Sequence, residues 1–521
     1  MTDSPPNLAV PARDDANAGH AAHWNRVVRI AGWSTIISWL LSIPLSFGIA
    51  VVTQFNSRTP PEIAALQGAL GELPVKGGIL VRYLRDYLSG QSFLASQWVT
   101  TAVYLVPICV STAALAAVWQ ATRRRAQRLT AANLATLRRF AVGFGLSCIL
   151  MYPMFTQDFW LSVAWGRMIA QGDNPYYAYF TASIYEGLPL FYEDTYMTYG
   201  PLWGWICALV AVLGHRVEVW EFLIFKGLLL GAWIACLSII CRVMRHRPIM
   251  DQALAVLLFG WMPMSYFLTV AEGHNDIVMV LPMMGWLLLL SRGNHLASPW
   301  ALAISVLIKY ITLPLALVEL WHGWSAMRGR RRAYTAALVA CAAVAVLCVM
   351  TLARDLEFLT AARRMQDWHM LTPAKALYQL AIWLHLPIPG YLFSGTVLLA
   401  GLTLIAYYAW PVLGRTDVDQ LLLVSLAGLL VILLVVVGHV WPWFVLWVLA
   451  PAVVVRRCLA KDIAIALALG APFVHVYWIW GHEWAEMKYA TVLYFAVVGG
   501  MVASARISRR GPDAAGVLRI E

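Results

Sequence analysis

The chain has 521 residues, of which 61% are hydrophobic and 12% are charged, and its mean hydropathy is +0.68. No soluble domain of this size needs so much apolar surface, so the composition predicts an all-α polytopic membrane protein. The formal net charge of +11 lies largely in short arginine runs between apolar segments. That distribution is typical of cytoplasmic loops and argues against a nucleic-acid partner.

The two ends of the chain are polar, and we expect both to be cytoplasmic tails, residues 1–24 and 511–521. The first tail has no apolar core before a small-residue cleavage site, so it is not interpreted as a signal peptide. Because no repeat or low-complexity segment is evident, residues 25–510 are expected to form one transmembrane domain. The eight cysteines form no CxxC pair, so neither a disulfide framework nor a zinc site is expected.

Apolar runs along the chain predict membrane-spanning helices. The bracketed runs are 30–54, 99–120, 140–157, 219–242, 251–271, 275–291, 334–352, 391–412, 420–438, 440–455, 463–480 and 489–506. Residues 201–214 are interpreted as a short helix at the outer surface, because a full crossing would move a later arginine run outside. Residues 299–324 are split into two short helices that turn at Lys309–Tyr310, for the same reason.

These choices give about fourteen crossings and place every arginine run on the cytoplasmic side. They also gather the polar segments on the outer side, including the turn 272–276 and residues 353–390. Residues 55–98 lie outside as well and are predicted to form an amphipathic surface helix. Buried charges and broken helices are tolerated in a membrane where they line a cavity, so this side is the expected location of the site.

The segment 158–200 is acidic and very aromatic, and it is predicted to be an outer catalytic loop. Asp158 opens it directly after an apolar run, where a carboxylate is either a solvated helix boundary or a general base. Tyr176, Tyr177 and Tyr199 belong to two tyrosine-rich turns. Such rings are typical of a membrane interface, but beside carboxylates they also match the apolar faces and polar edges of a sugar.

Two further segments carry candidate binding residues. Glu272, His274, Asn275 and Asp276 form a polar turn, which is either a satisfied hairpin or part of a sugar-binding cavity. Lys309, beside Tyr310 at the predicted helix break, either extends to the interface or holds a phosphate as a point charge.

The outer loop that follows supplies two assisting cations, Arg363 and Arg364. Later in the chain, His439, Trp441 and Trp443 begin another apolar run from the outer side. A buried histidine usually satisfies a structural hydrogen bond. A His-Trp-Pro-Trp cluster is interpreted here as a wall for lipid or sugar.

The order of these motifs resembles the GT-C class of membrane glycosyltransferases, and within it the bacterial polyprenyl-phosphomannose-dependent mannosyltransferases. The resemblance is carried by Asp158, GDNPY at 172–176, YGPL at 199–202, HND at 274–276, the lysine-bearing short helix and HVWPW at 439–443. The last motif only approximates the family's His-Pro-Trp-Tyr segment. In addition, two predicted spans and the segment 55–98 precede Asp158, whereas many such enzymes place the aspartate after the first span.

The resemblance implies an inverting hexosyltransferase at the outer face of the inner membrane, with a GT-C-like bundle and no cofactor. A polyprenyl-phosphate sugar, with mannose favoured, would be the donor, and a lipid or glycan hydroxyl activated by Asp158 would be the acceptor. A transporter or flippase is the alternative from another class, although it often shows internal repeats. A polymerase or ligase of lipid-linked glycans is the second alternative.

Overall fold

The computed structural model describes residues 12–55, 97–179, 196–353, 355, 372, 377–378, 381–409, 417–437, 440–481 and 487–507. These residues form helices, turns and irregular connections without a β-strand. The α-helices are α1 Ala12–Phe55, α2 Gln97–Arg124, α3 Ala131–Ser147, α4 Asp158–Gln171, α5 Pro201–Leu213, α6 Glu218–Val243, α7 Ile249–Gly260, α8 Pro263–Tyr266, α9 Asp276–Ser291, α10 Ser298–Ile308, α11 Leu315–Ala326, α12 Arg331–Met350, α13 Gly390–Ala409, α14 Val418–Val431, α15 Val445–Val454, α16 Leu459–Gly481 and α17 Met487–Ile507. The prediction of an all-helical protein is confirmed.

Six helices in the described residues are long and apolar enough to cross a membrane, or seven if the bent pair of α7 with the segment 263–271 is one span. Several shorter apolar helices, among them α5, α9 and α10, have 16 residues or fewer. The chain is therefore a multi-pass membrane protein. The predicted total of fourteen crossings stays a prediction.

Local sequence signals account for several helix boundaries. Thr130 and Asn133 form a capping box at the start of α3, each side chain accepting a hydrogen bond from the other residue's backbone N–H. Pro201 occupies the first turn of α5, where its missing N–H costs nothing. Gly172 ends α4 with a φ of 91°, a left-handed conformation that favours glycine.

Two predicted segments differ from the structure. The run 140–157 is not one helix, because α3 ends at Ser147 and the chain then turns through Pro153. The predicted loop 158–200 begins instead with the 14-residue helix α4, whose residues 159–169 are all buried. Its apolar side chains pack against α5, so tertiary burial outweighs the polar character of the flanking residues.

The short helix predicted at 201–214 and the helix break predicted within 299–324 are both present in the structure. Residues 201–213 form the short helix α5. In the second segment α10 ends at Ile308, Lys309 is extended, a 3₁₀ turn covers 310–312, and α11 starts at Leu315. The break therefore lies at Lys309, where the charged residue was expected to require it.

Candidate active site

Buried hydrogen bonds from two charged side chains, Glu272 and Lys226, fix the turn 272–276 relative to the residues before α4. The Glu272 carboxylate is fully buried and accepts hydrogen bonds from the backbone N–H groups of Met154, at 3.0 Å, and Phe155, at 2.8 Å. The buried Lys226 ammonium donates to the carbonyls of residues 270 and 271, each at 2.6 Å. Since buried polar groups require such partners, the two side chains fix the turn relative to the residues before Asp158.

Gly273 allows the turn to approach α4 closely. Its φ is 82°, and a Cβ at this position would lie 2.5 Å from a ring carbon of Phe159. Both the backbone conformation and the space therefore require glycine. This close approach brings His274 to Asp158.

Asp158 is the first residue of α4, and its carboxylate has two polar neighbours. The Tyr199 hydroxyl donates to Oδ2 at 3.2 Å, and Nδ1 of His274 lies 3.6 Å from the same oxygen. The Asp158 side chain keeps 28% of its surface exposed, whereas that of His274 keeps 1%. A fixed and partly accessible carboxylate is the geometry that a general base needs.

The electrostatic environment keeps Asp158 ionised. Burial alone would raise the pKa of Asp158, but His274, Lys309 and the Tyr199 hydroxyl together hold it below its usual range. Burial lowers the pKa of His274 despite the nearby carboxylates, which favours the neutral imidazole. Burial and the Asp158 charge raise the pKa of Tyr199 well above its usual value, so its hydroxyl stays a donor.

Lys309 lies beside this group and forms an ion pair with a buried carboxylate. Its Nζ is 2.6 Å from Oδ1 of Asp276, which also accepts a hydrogen bond from Nε1 of Trp447 at 2.5 Å. The ammonium is 5.1 Å from the ring centre of Tyr199, 4.7 Å from Phe444 and 5.1 Å from Trp447. The aromatic faces add a favourable interaction with the cation.

The helix break at Lys309 is packed directly against the turn before α5. The Gly200 N–H donates to the carbonyl of Ile308 at 2.9 Å, and a Cβ on Gly200 would lie 2.0 Å from the carbonyl oxygen of Leu307. Only glycine permits this backbone approach. Tyr199 and Lys309 are thereby fixed on the same side of the cluster.

Aromatic rings cover the histidine. Trp443 stacks on His274 at 3.8 Å between ring centres, and Trp441 stacks on Trp443 at 5.1 Å. Tyr176 donates its hydroxyl to the carbonyl of Tyr199 at 2.6 Å and lies 3.5 Å from the hydroxyl of Tyr310. Flat apolar faces beside carboxylates are suited to sugar C–H faces and hydroxyl edges.

Three polar atoms of the turn 272–276 are buried and have no hydrogen-bond partner among the described residues. They are Nε2 of His274, Nδ2 of Asn275 and Oδ2 of Asp276. Buried polar atoms without partners are costly, so each of the three would be stabilised by a further hydrogen-bond partner. Within the described part of the chain, no group of three or more His, Cys, Asp or Glu side chains could hold a metal ion.

The remaining predicted residues take other positions. The Tyr177 hydroxyl donates to Asp355 at 3.0 Å, and Glu272 is engaged with the backbone as described. His439, Arg363 and Arg364 lie outside the described residues.

The sequence analysis did not name two residues that contact the Lys309–Asp276 pair, Trp447 and Phe444. Trp447 follows Trp443 by four residues, a spacing that predicts one helical face from the sequence and was an available signal.

No curated protein matches the chain. Residues 67–328 match the family model described as "Alpha-(1->6)-mannopyranosyltransferase, N-terminal domain", of the MptA/B family. The match covers just over half of the chain and contains Asp158, the turn 272–276 and Lys309. The chain therefore belongs to the MptA/B family of alpha-(1->6)-mannosyltransferases, polyprenyl-phosphomannose-dependent enzymes of the GT-C class.

Proposed function

We propose that Asp158 is the general base of this mannosyltransferase, and that transfer takes place at the outer face of the inner membrane with inversion at the anomeric carbon. The acceptor is the hydroxyl of a lipid or glycan, and the fold is a GT-C bundle of about fourteen crossings within residues 25–510. The observation that carries the proposal is the convergence of Asp158, Tyr199, His274 and the Lys309–Asp276 pair.

The reaction follows from the charges in this cluster. The acceptor oxygen forms a bond to the mannose anomeric carbon as the bond from that carbon to the phosphate oxygen breaks. The acceptor proton moves to Asp158, and the departing polyprenyl phosphate takes the electron pair and gains one negative charge. Inversion with an α-linked product requires a β-linked donor.

Asp158 suits the first half of this exchange because it is ionised and its side chain is partly accessible. A carboxylate of low pKa takes up the proton late, when the attacking oxygen has become acidic through bond formation. The Tyr199 hydroxyl and His274 hold the carboxylate in one orientation.

Lys309 is suited to the second half of the reaction, the departure of the polyprenyl phosphate. Its ammonium has three donors, and the only hydrogen bond it makes among the described residues goes to Asp276. The remaining donors are available for the phosphate, whose charge rises during the reaction. Arg363 and Arg364 are proposed to assist, Trp441, Trp443 and His439 to line the donor pocket, and Tyr176, Tyr177 and Tyr310 to bound the sugar.

The turn 272–276 is proposed to orient the sugar through the unpartnered atoms of His274, Asn275 and Asp276. Glu272 contributes by positioning that turn through the backbone N–H groups of Met154 and Phe155.

The test is mannose transfer in proteoliposomes from radiolabelled polyprenyl-phosphate mannose, with native membrane lipid extract as the acceptor. We expect Asp158→Asn to lower turnover by about 10²–10⁴-fold, because the amide cannot accept the proton. Asp173→Asn is the matched control, since Asp173 is an exposed carboxylate in the segment that follows α4. Unchanged turnover in Asp158→Asn would remove Asp158 from the role of base.

A further inference from the structure

A cavity lined by arginine and apolar side chains lies away from the candidate active site, between α3, α6 and α7. It has a volume of about 410 Å³, and its polar lining includes Arg138, Arg242, Arg245 and Gln252. Arg242 and Arg245 lie at the carboxyl end of the candidate span 218–246. Lys226, which supports the active-site turn, precedes Arg242 by 16 residues on the same helix, so the two ends are about 24 Å apart.

The arginines of this cavity are not neutralised by neighbouring carboxylates. No acidic residue lines the cavity, and none of the three arginines forms an ion pair among the described residues. In addition, Nε of Arg138 is buried and has no hydrogen-bond partner in that part of the chain. Three guanidinium groups, two at the end of a membrane span and one on α3, therefore line a space that favours an anion.

The cavity continues from its charged end onto an apolar wall. Val142 lies one turn beyond Arg138 on α3, and Ile234 and Leu237 lie on α6 about two turns before Arg242 and the 3₁₀ turn that holds Arg245. A free phosphate ion has no apolar part that could pack against this wall. An amphiphile with an anionic headgroup and an acyl chain matches both parts.

We propose that this cavity binds the phosphate headgroup of an anionic phospholipid, with the acyl chain lying along Val142, Ile234 and Leu237. Basic pockets between helices at the end of a membrane span bind such headgroups through charge and hydrogen bonds. Gln252 positions the basic turn, because its side-chain amide donates to the carbonyls of Arg245, at 3.3 Å, and Arg247, at 2.9 Å. The site is independent of the roles given to Asp158 and Lys309.

The proposal is tested by native mass spectrometry of the full chain in detergent, titrated with phosphatidylglycerol, phosphatidylcholine or inorganic phosphate. We expect one phosphatidylglycerol to be retained per chain in preference to phosphatidylcholine. The variant Arg242→Gln/Arg245→Gln should weaken this retention by about tenfold or more. Ser238→Trp should weaken it without changing the charge, because Ser238 lines the cavity and the indole would fill it.

The matched control is Arg123→Gln/Arg124→Gln, which removes the same charge from exposed positions at the end of α2. Mannose transfer by each variant reports whether the protein is folded. Equal loss of lipid in the control would mean general surface attraction and would overturn the proposal. Equal retention of phosphatidylcholine, or displacement of the lipid by inorganic phosphate, would overturn the assignment to an anionic lipid.

Discussion

At the scale of single residues, Tyr199 makes two separate contacts in the candidate site. Its hydroxyl donates to Asp158 at 3.2 Å, and its ring faces the Lys309 ammonium at 5.1 Å. A phenylalanine at this position would keep the second contact and lose the first. The two contributions can therefore be separated by one substitution.

Tyr199→Phe is expected to shift the acidic limb of the pH–rate profile to higher pH. The pKa of Asp158 is held below its usual range in part by the Tyr199 hydroxyl, and the ionised carboxylate is the proposed active form. Transfer is then lost as the pH falls through that low pKa, and removal of the donor raises the pKa. Profiles of kcat/KM for the two proteins measure the shift.

Tyr177→Phe is the control for this experiment, because the Tyr177 hydroxyl contacts Asp355 and not Asp158. The same shift in both variants, or none in Tyr199→Phe, would contradict the assignment of the acidic limb to Asp158.

Lys309→Gln is expected to raise the KM for the donor about tenfold or more while leaving the acceptor KM nearly unchanged. The same change leaves the fully buried Asp276 without its cation, at a cost of roughly 3 kcal/mol in stability. Donor and acceptor titrations, with thermal unfolding of each protein, measure the two effects.

The double variant Lys309→Gln/Asp276→Asn tests the effect on stability, because the pair is again neutral, whereas its donor affinity also carries the loss of the sugar contact proposed for Asp276. It should recover most of the lost stability without recovering donor affinity. Recovery of both would mean that Lys309 acts only on the fold.

At the scale of helices, the sequence predicted the break at Lys309 because a charge inside an apolar run and the sidedness of the arginines both require it. The helix α4 was not predicted, since its polar and aromatic neighbours resemble a loop and its burial depends on α5. The early end of α3 was missed for a related reason. Met154 and Phe155 leave the helix and find their hydrogen-bond acceptor in Glu272, a partner more than one hundred residues away.

Gly200→Ala tests whether the packing of α5 against the helix break sets the position of Lys309. A methyl group at Gly200 would lie 2.0 Å from the carbonyl oxygen of Leu307, so the backbone must move. We expect stability to fall by about 1–3 kcal/mol and donor affinity to fall with it. Thermal unfolding and donor titration measure both.

The matched control is Gly285→Ala in α9, where an added methyl group meets no atom within 4 Å. Alanine there should be neutral or stabilising by up to about 1 kcal/mol, through helix propensity. An equal loss in both variants would show that Gly200 has no special packing role.

At the scale of the whole molecule, the distribution of arginine runs alone predicted that polar segments from distant parts of the chain lie on the same side of the membrane. The structure brings Asp158, Tyr199, His274, Asp276, Lys309 and Trp443 together. The pairing of Lys309 with Asp276 was not foreseen, because sidedness gives no distances between side chains. Family membership decides between the alternatives left open by the sequence, in favour of a sugar transferase over a transporter.

The proposed orientation predicts which residues a membrane-impermeant maleimide can reach in intact cells. Asp173→Cys lies in the exposed segment after α4, and Arg330→Cys lies in an exposed basic run before α12. With the eight native cysteines replaced, Asp173→Cys should be labelled from outside and Arg330→Cys only after the membrane is permeabilised. The reason is that arginine runs flanking short spans are retained on the cytoplasmic side. The reverse pattern would place the candidate active site on the cytoplasmic face, and labelling of both sites from outside would mean that the segment between them crosses an even number of times.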